Sequence, residues 1–287
     1  MTHESMLHCD DVPYALIPGF GPLLMDLVVP NQATAVPVIV YIHGGGFTTG
    51  SHKANFDHLL PTLIEHCTVR GIAVASVRYR LSGEATFPAP LHDIKAAIRW
   101  TRDHADEYGV DGHRIAVFGE SAGGYFAAML ATTAGIEDLD GANRSLTSSA
   151  VTAAVSWYGP THLPSQPPLG PAHLGTDPSS SPESRFLGST VSTVLELAEW
   201  ASPVTHVSSS SAPILLVHGT ADTGVPIAQS ERMHAVYAAV EADSELIRVP
   251  DGGHGFEPLE ARNALMATSV DYLAARLMSS SPRNSQL

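Results

Sequence analysis

Residues 115–124 read Ile-Ala-Val-Phe-Gly-Glu-Ser-Ala-Gly-Gly. An apolar, β-branched run ends abruptly in Gly-x-Ser-x-Gly. The pattern predicts a strand that turns sharply into a helix, with Ser121 at the turn. Gly119 and Gly123 flank Ser121 at the two places where a side chain would collide with the neighbouring strand or helix. Ser121 is then forced into a strained conformation with its hydroxyl projecting from a sheet edge. A serine hydroxyl is a weak nucleophile unless the backbone exposes it and a base sits beside it. The rest of the chain decides between a reactive serine and a plain glycine-rich turn.

Outward from this turn, short apolar runs alternate with longer helical patterns. Strands are expected at 24–29, 38–42, 72–77, 115–118, 153–157, 214–217 and 246–249. Most are continuously apolar, as befits strands covered on both faces. Between them Leu91, Ile94 and Ile98 share one helical face, as do Met233, Val236, Tyr237 and Val240, and Met266, Val270, Leu273 and Leu277. The alternation predicts an α/β fold: a mostly parallel central sheet with helices on both faces. No internal repeat is found, and residues 1–287 read as a single domain.

Three segments break the rhythm. Residues 1–22 hold Pro13, Pro18, Gly19, Gly21 and Pro22 and are expected to be irregular. Residues 160–203 are rich in Pro, Ser and Gly and are too long for an ordinary connection. They leave the sheet at a strand's C-terminal end, where ligands bind in open α/β sheets, and are expected to form a small cap or lid. Residues 279–287 read as a flexible tail.

The 287 residues are 44% hydrophobic, ample for one large core. Net charge is −14 with no Lys/Arg cluster, which argues against a nucleic-acid partner. Cys9 and Cys67 are far apart in sequence, so no disulfide framework is expected. No signal peptide or membrane-spanning run is seen, so a cytoplasmic location is expected and the sequon at Asn143 reads as chance. No metal-ligand spacing such as His-Glu-x-x-His appears, and no nucleotide-binding glycine loop, so neither metal nor cofactor is expected.

Three further glycine-rich turns follow expected strands. His43-Gly44-Gly45-Gly46-Phe47 comes after the run at 38–42; consecutive glycines let backbone N–H groups approach an oxyanion. His218-Gly219-Thr220-Ala221-Asp222 follows 214–217, where an aspartate can orient an imidazole. Gly252-Gly253-His254-Gly255-Phe256 follows the last strand, and its histidine can act as general base toward Ser121. Asp222 would then accept from the other ring nitrogen and fix the tautomer. The chain order Ser121, Asp222, His254, preceded by the glycine loop, is that of α/β-hydrolases.

The His-Gly-Gly-Gly and Gly-Glu-Ser-Ala-Gly-Gly pair resembles the hormone-sensitive-lipase type of α/β-hydrolase, a group of small bacterial carboxylesterases. The resemblance spans roughly residues 36–275. It includes Tyr79-Arg80-Leu81, Phe87-Pro88-Ala89-Pro90, Asp93, Asp111 ahead of Arg114-Ile115, and Trp157-Tyr158-Gly159-Pro160. It implies Ser121 as nucleophile, His254 as base and Asp222 as its orienting acid. It further implies oxyanion donors at Gly45, Gly46 and Ala122, with His43, Gly44 and Glu120 in support. Phe47, Tyr125, Trp157 and Tyr158 lie beside these loops and are candidates to line the pocket, with core packing the competing role. Thr220 stands where relatives often carry an acidic residue, and the N-terminal region is short for a full two-piece cap.

The resemblance implies a serine carboxylesterase acting on short- to medium-chain acyl esters through an acyl-enzyme, including acetyl or feruloyl esters of plant polysaccharides. The partner is a small-molecule ester; oligomeric state is not legible. An amidase such as an aryl-formamidase would use the same machinery. A non-catalytic receptor on this fold, as in the gibberellin receptors, lacks the catalytic histidine that His254 supplies here. An interaction role for the acidic surface finds no motif.

Overall fold

In the computed structural model, residues 6–53, 59–141, 147–167, 178–256 and 259–279 are described. The strands are β1 (Met6–Ile17), β2 (Gly21–Pro30), β3 (Val36–Ile42), β4 (Ala73–Val77), β5 (Val110–Glu120), β6 (Ala154–Trp157), β7 (Ile214–Gly219) and β8 (Ser244–Val249). They form one eight-stranded sheet in the order β1-β2-β4-β3-β5-β6-β7-β8. β1 pairs with β2, and β2 with β4, antiparallel; every other neighbouring pair is parallel. The helices are α1 (Leu59–Thr68), α2 (Ala89–Asp103), α3 (Ala105–Tyr108), α4 (Ala122–Thr132), α5 (Glu137–Asp140), α6 (Pro182–Leu187), α7 (Leu195–Trp200), α8 (Ala228–Ala239) and α9 (Leu259–Ser279). None of the described helices is long and apolar enough to cross a membrane.

The strand period of two sorts the apolar runs into two cores. Val38, Val40 and Ile42 of β3 and Ile115 and Val117 of β5 join one cluster with Leu91, Ile94 and Ile98 of α2, residues of α4, and Met233 and Tyr237 of α8. Ile39 and Tyr41 of β3 and Ala116 and Phe118 of β5 face the other way, onto Leu63 of α1 and Met266, Val270, Leu273 and Leu277 of α9. The faces read on α2 and α9 are thus ones that cover the sheet, whereas of the four residues read on α8 only Met233 and Tyr237 join the core and Val236 and Val240 stay half-buried outside it. Asp93 of α2 is buried and grips Arg80 by both carboxylate oxygens, at 2.7 and 2.8 Å, tying the chain after β4 to α2.

The N-terminal segment departs from expectation. Residues 6–17 form the long edge strand β1 rather than an irregular arm. Pro13 is accommodated because β1 is at the sheet edge and its pairing with β2 is irregular on both sides of Val12-Pro13. Val12 and Tyr14 point inward and are buried.

The described parts of 160–203 are also more ordered than their composition suggests. Ser181 caps α6 by accepting from Ser184 N at 3.1 Å, Pro182 occupies the first turn, and Gly188 closes the helix at φ 76°. Here Ser, Pro and Gly are helix start and stop signals. Phe186 of α6 and Ala198 of α7 are fully buried. Residues 168–177, the sequon at Asn143 and residues 280–287 of the expected tail lie outside the described residues; Ser279 ends α9.

Candidate active site

Ser121 sits between β5 and α4 at φ 54° and ψ −119°, a conformation unfavourable for any residue with a side chain. Close packing enforces it. A methyl group on Gly123 would stand 1.9 Å from the carbonyl oxygen of Ile42, and one on Gly119 would stand 2.1 Å from that of Gly123. Ser121 N donates to Trp157 O at 2.9 Å, so the turn is pinned to the end of β6.

Three loops at the C-terminal ends of β5, β7 and β8 bring Ser121, Asp222 and His254 together. His254 Nε2 lies 3.0 Å from Ser121 Oγ, and its Nδ1 lies 2.7 Å from Asp222 Oδ2. A carboxylate only accepts, so Nδ1 carries the proton and Nε2 is the open acceptor facing the serine hydroxyl. The Asp222 side chain is sealed from solvent, whereas the His254 side chain keeps 36% exposure.

Asp222 Oδ1 accepts from the backbone N–H groups of Gly224 and Val225, at 2.8 and 2.9 Å. Burial by itself would raise this carboxyl. Hydrogen bonding from His218 and His254, the charge on His254 and the Val225 N–H outweigh it and hold Asp222 well below the usual carboxylate range. His218 is completely buried, with Nε2 2.7 Å from Val225 O and 3.4 Å from Asp222 Oδ2. Its Nε2 proton therefore goes chiefly to Val225 O, and its tie to Asp222 is the weaker one.

Gly45 and Gly46, at φ 109° and 57°, shape the loop after β3. A methyl on Gly45 would stand 2.3 Å from Thr49 O, so that position admits glycine alone. The backbone N–H groups of Gly45, Gly46 and Ala122 donate to no acceptor among the described residues. Gly44 N, by contrast, donates to Glu120 Oε1 at 2.6 Å, and Tyr41 OH donates to the same oxygen at 3.2 Å. His43 stacks on Tyr79 at 4.4 Å and donates from Nδ1 to Gly44 O at 2.7 Å. Burial holds its imidazole neutral, with the pKa lowered to about 4 against the opposing Gly44 bond.

The four pocket candidates separate. Tyr158 packs its ring 4.5 Å from that of His254. Phe47 stacks on Phe186 of α6 at 4.3 Å and meets Tyr125 edge-on at 5.3 Å, while Tyr125 OH donates to Ala201 O at 2.6 Å. Trp157 is a core residue on the α9 face of the sheet, where Nε1 donates to Ser269 of α9 at 2.9 Å, away from Ser121 and the start of α4. The strand alternation at β6 sends it away from the α4 side.

Outside the cleft, Asp11, Asp26 and His52 bring ligand atoms within 4.8 Å of one another. Lys53 Nζ already fills the place of a cation there, 2.9 Å from Asp26 and 3.3 Å from Asp11.

Sequence reasoning missed Gln166 and Gln229. Gln229 Oε1 accepts from the N–H groups of Thr161 and His162, at 2.9 and 2.7 Å, and Gln166 Nε2 donates to Gly224 O at 3.1 Å. Both contacts join residues more than fifty positions apart, and no local pattern announces them.

The sheet order and the serine turn with its glycine loop define an α/β-hydrolase fold. The chain belongs to the BD-FAE family, whose model matches residues 25–237. A carbohydrate esterase from gut microbiota, solved in truncated form, superimposes with a TM-score of 0.83 at 27% identity, over 96% of this chain and 99% of that one. Among curated relatives, esterase LipQ of Mycobacterium tuberculosis is 28% identical over 92% of this chain and 61% of its own length. The probable carboxylic ester hydrolase LipM of the same organism is 30% identical over 84% of this chain and 54% of its own. The chain thus spans between half and two thirds of the length of these two relatives.

Proposed function

We propose that this protein is a serine carboxylesterase that hydrolyses short- to medium-chain acyl esters through an acyl-enzyme. The observation that carries the reading is the unbroken run Asp222–His254–Ser121, at 2.7 and 3.0 Å. In this reading His254 takes the Ser121 proton as Oγ attacks the ester carbonyl. The developing oxyanion accepts from the backbone N–H groups of Gly45, Gly46 and Ala122. Protonated His254 then gives its proton to the leaving alcohol. Water, activated by the same imidazole, cleaves the Ser121 ester and releases the acid. Asp222, kept ionised by its surroundings, stabilises the imidazolium.

We further assign the substrate class as acetyl or feruloyl esters of plant polysaccharides. Membership of the BD-FAE family and the likeness to a carbohydrate esterase along almost its whole length support this choice. The segment 160–203 acts as the lid: Pro182 of α6 approaches within 3.4 Å of a methyl placed on Gly46, and so borders the oxyanion loop. The test is a panel of p-nitrophenyl acetate, butyrate and octanoate, methyl ferulate, acetylated xylan and N-formylkynurenine. The expected result is hydrolysis of the short esters and of acetylated xylan or methyl ferulate, unaffected by EDTA. Preference for N-formylkynurenine would make the enzyme an amidase instead, and inertness toward the whole panel would overturn the reading.

A further inference from the structure

The turn that presents Asp222 is held from outside by the insertion. Gly224 lies against the catalytic pair: a methyl placed on it would be 3.3 Å from Asp222 Oδ1 and 3.6 Å from His254 Nδ1. The peptide joining Gly224 to Val225 is gripped at both ends. Its N–H donates to Asp222 Oδ1 at 2.9 Å, and its carbonyl accepts from Gln166 Nε2 at 3.1 Å. Hydrogen bonds relayed through one amide polarise each other, so the Gln166 bond strengthens the Val225 N–H as a donor to the carboxylate.

Gln166 is suited to this task. It is 7% exposed, and its Oε1 is buried with no hydrogen-bond partner among the described residues. Native structures seldom leave a buried acceptor unpaired without some compensating role. The amide orientation follows from the contact itself, because the flipped form would set two acceptors against each other. The backbone that carries Gln166 is anchored independently, by Gln229 Oε1 on Thr161 N and His162 N, and by Leu163 N donating to Ser202 Oγ at 2.9 Å.

We propose that Gln166 is a positioning residue of the triad, through which the root of the lid sets the Asp222–His254 geometry. The insertion then takes part in the chemical step and not only in substrate choice. The proposal rests on the triad reading above.

Gln166→Met keeps the side chain's size and removes the donor, and Gln166→Glu reverses the donor to an acceptor at neutral pH. For p-nitrophenyl acetate both should lower kcat roughly tenfold, as small misplacements of catalytic groups do. KM should stay within about twofold, because no substrate-binding group is lost. The low-field NMR resonance of the His254 Nδ1 proton should shift upfield or broaden in both variants. That signal reports the Asp222 bond whether or not the parent hydrolyses esters. It therefore separates failure of this proposal from failure of the esterase reading. Should folded Gln166→Met and Gln166→Glu both keep the parental resonance and a kcat within twofold, Gln166 is only a packing residue and the proposal is wrong.

Discussion

The carboxylate of Glu120 lies 2.6 Å from the backbone nitrogen of Gly44, so the residue before Ser121 holds the loop whose next two N–H groups have no acceptor among the described residues. Serine turn and glycine loop are thereby fixed to each other across β5 and β3, which pair directly. Glu120→Ala would leave the buried Gly44 N–H unsatisfied and free the loop. Its kcat should fall about 100-fold, the scale on which a lost oxyanion donor is felt, with little change in KM. Glu120→Gln retains an acceptor and should stay within about tenfold of the parent. A kcat for Glu120→Ala equal to that of Glu120→Gln would show that the Gly44 bond does not matter to turnover.

The tight packing behind Ser121 predicts a stability cost. Gly123→Ala drives a methyl to 1.9 Å from Ile42 O, which is backbone and cannot swing aside. Overpacking of this kind costs roughly 3 kcal/mol. For a chain of this size that lowers Tm by about 6–12 °C, readable by calorimetry. Gly135→Ala is a control of a different kind: its surroundings are open and only φ, at 76°, is unfavourable, so the loss should be smaller.

A pH effect is expected at α6. Glu183 of α6 is buried, and burial raises its carboxyl to about 7 despite bonds from its own N–H and from Ser181. A carboxyl raised in the folded state favours folding when protonated. The contribution is complete below about pH 4.5 and is lost as pH rises toward 7. The rise from 4.5 to about 7 corresponds to roughly 3 kcal/mol. Hydrogen exchange at 182–187 should therefore speed up, beyond the intrinsic pH trend, between pH 5 and about 8. Glu183→Gln should abolish that extra change. Equal pH trends in the two proteins would place the carboxyl near its ordinary value.

Much of the candidate site was legible because its turns are marked by glycine. Ser121, Asp222 and His254 each sit in a glycine-marked turn directly after an apolar strand, and those signals lie within a few residues of one another. β1 was not legible because Pro13 and the glycines near it read as breakers, and only the edge position and the irregular pairing reconcile them with a strand. The helices of 160–203 were hidden for a related reason: Ser181, Pro182 and Gly188 serve as caps, and composition alone cannot tell a cap from a loop. Trp157 was left open between pocket and core because adjacency in sequence to Tyr158 says nothing of which face of β6 it takes; it takes the core face.

Asp222→Asn tests the orienting acid. The Gly224 and Val225 N–H groups can still bind the Asn oxygen, so the loop should keep its shape. The amide can then donate toward His254 and favour the wrong tautomer. In the serine proteases that change costs about ten-thousandfold in kcat, and a fall of at least a thousandfold is expected here. Near-parental turnover would require another carboxylate, such as Asp251, to hold His254.

Covalent labelling tests Ser121 as the proposed nucleophile most directly. The parent protein, treated with a fluorophosphonate and analysed by intact mass and peptide mapping, should carry one adduct on Ser121. Hydrolysis of p-nitrophenyl acetate should disappear in proportion to labelling, and Ser121→Ala should neither label nor turn over. An adduct on another residue, or a folded Ser121→Ala protein that retains more than about one per cent of parental activity, would contradict the assignment.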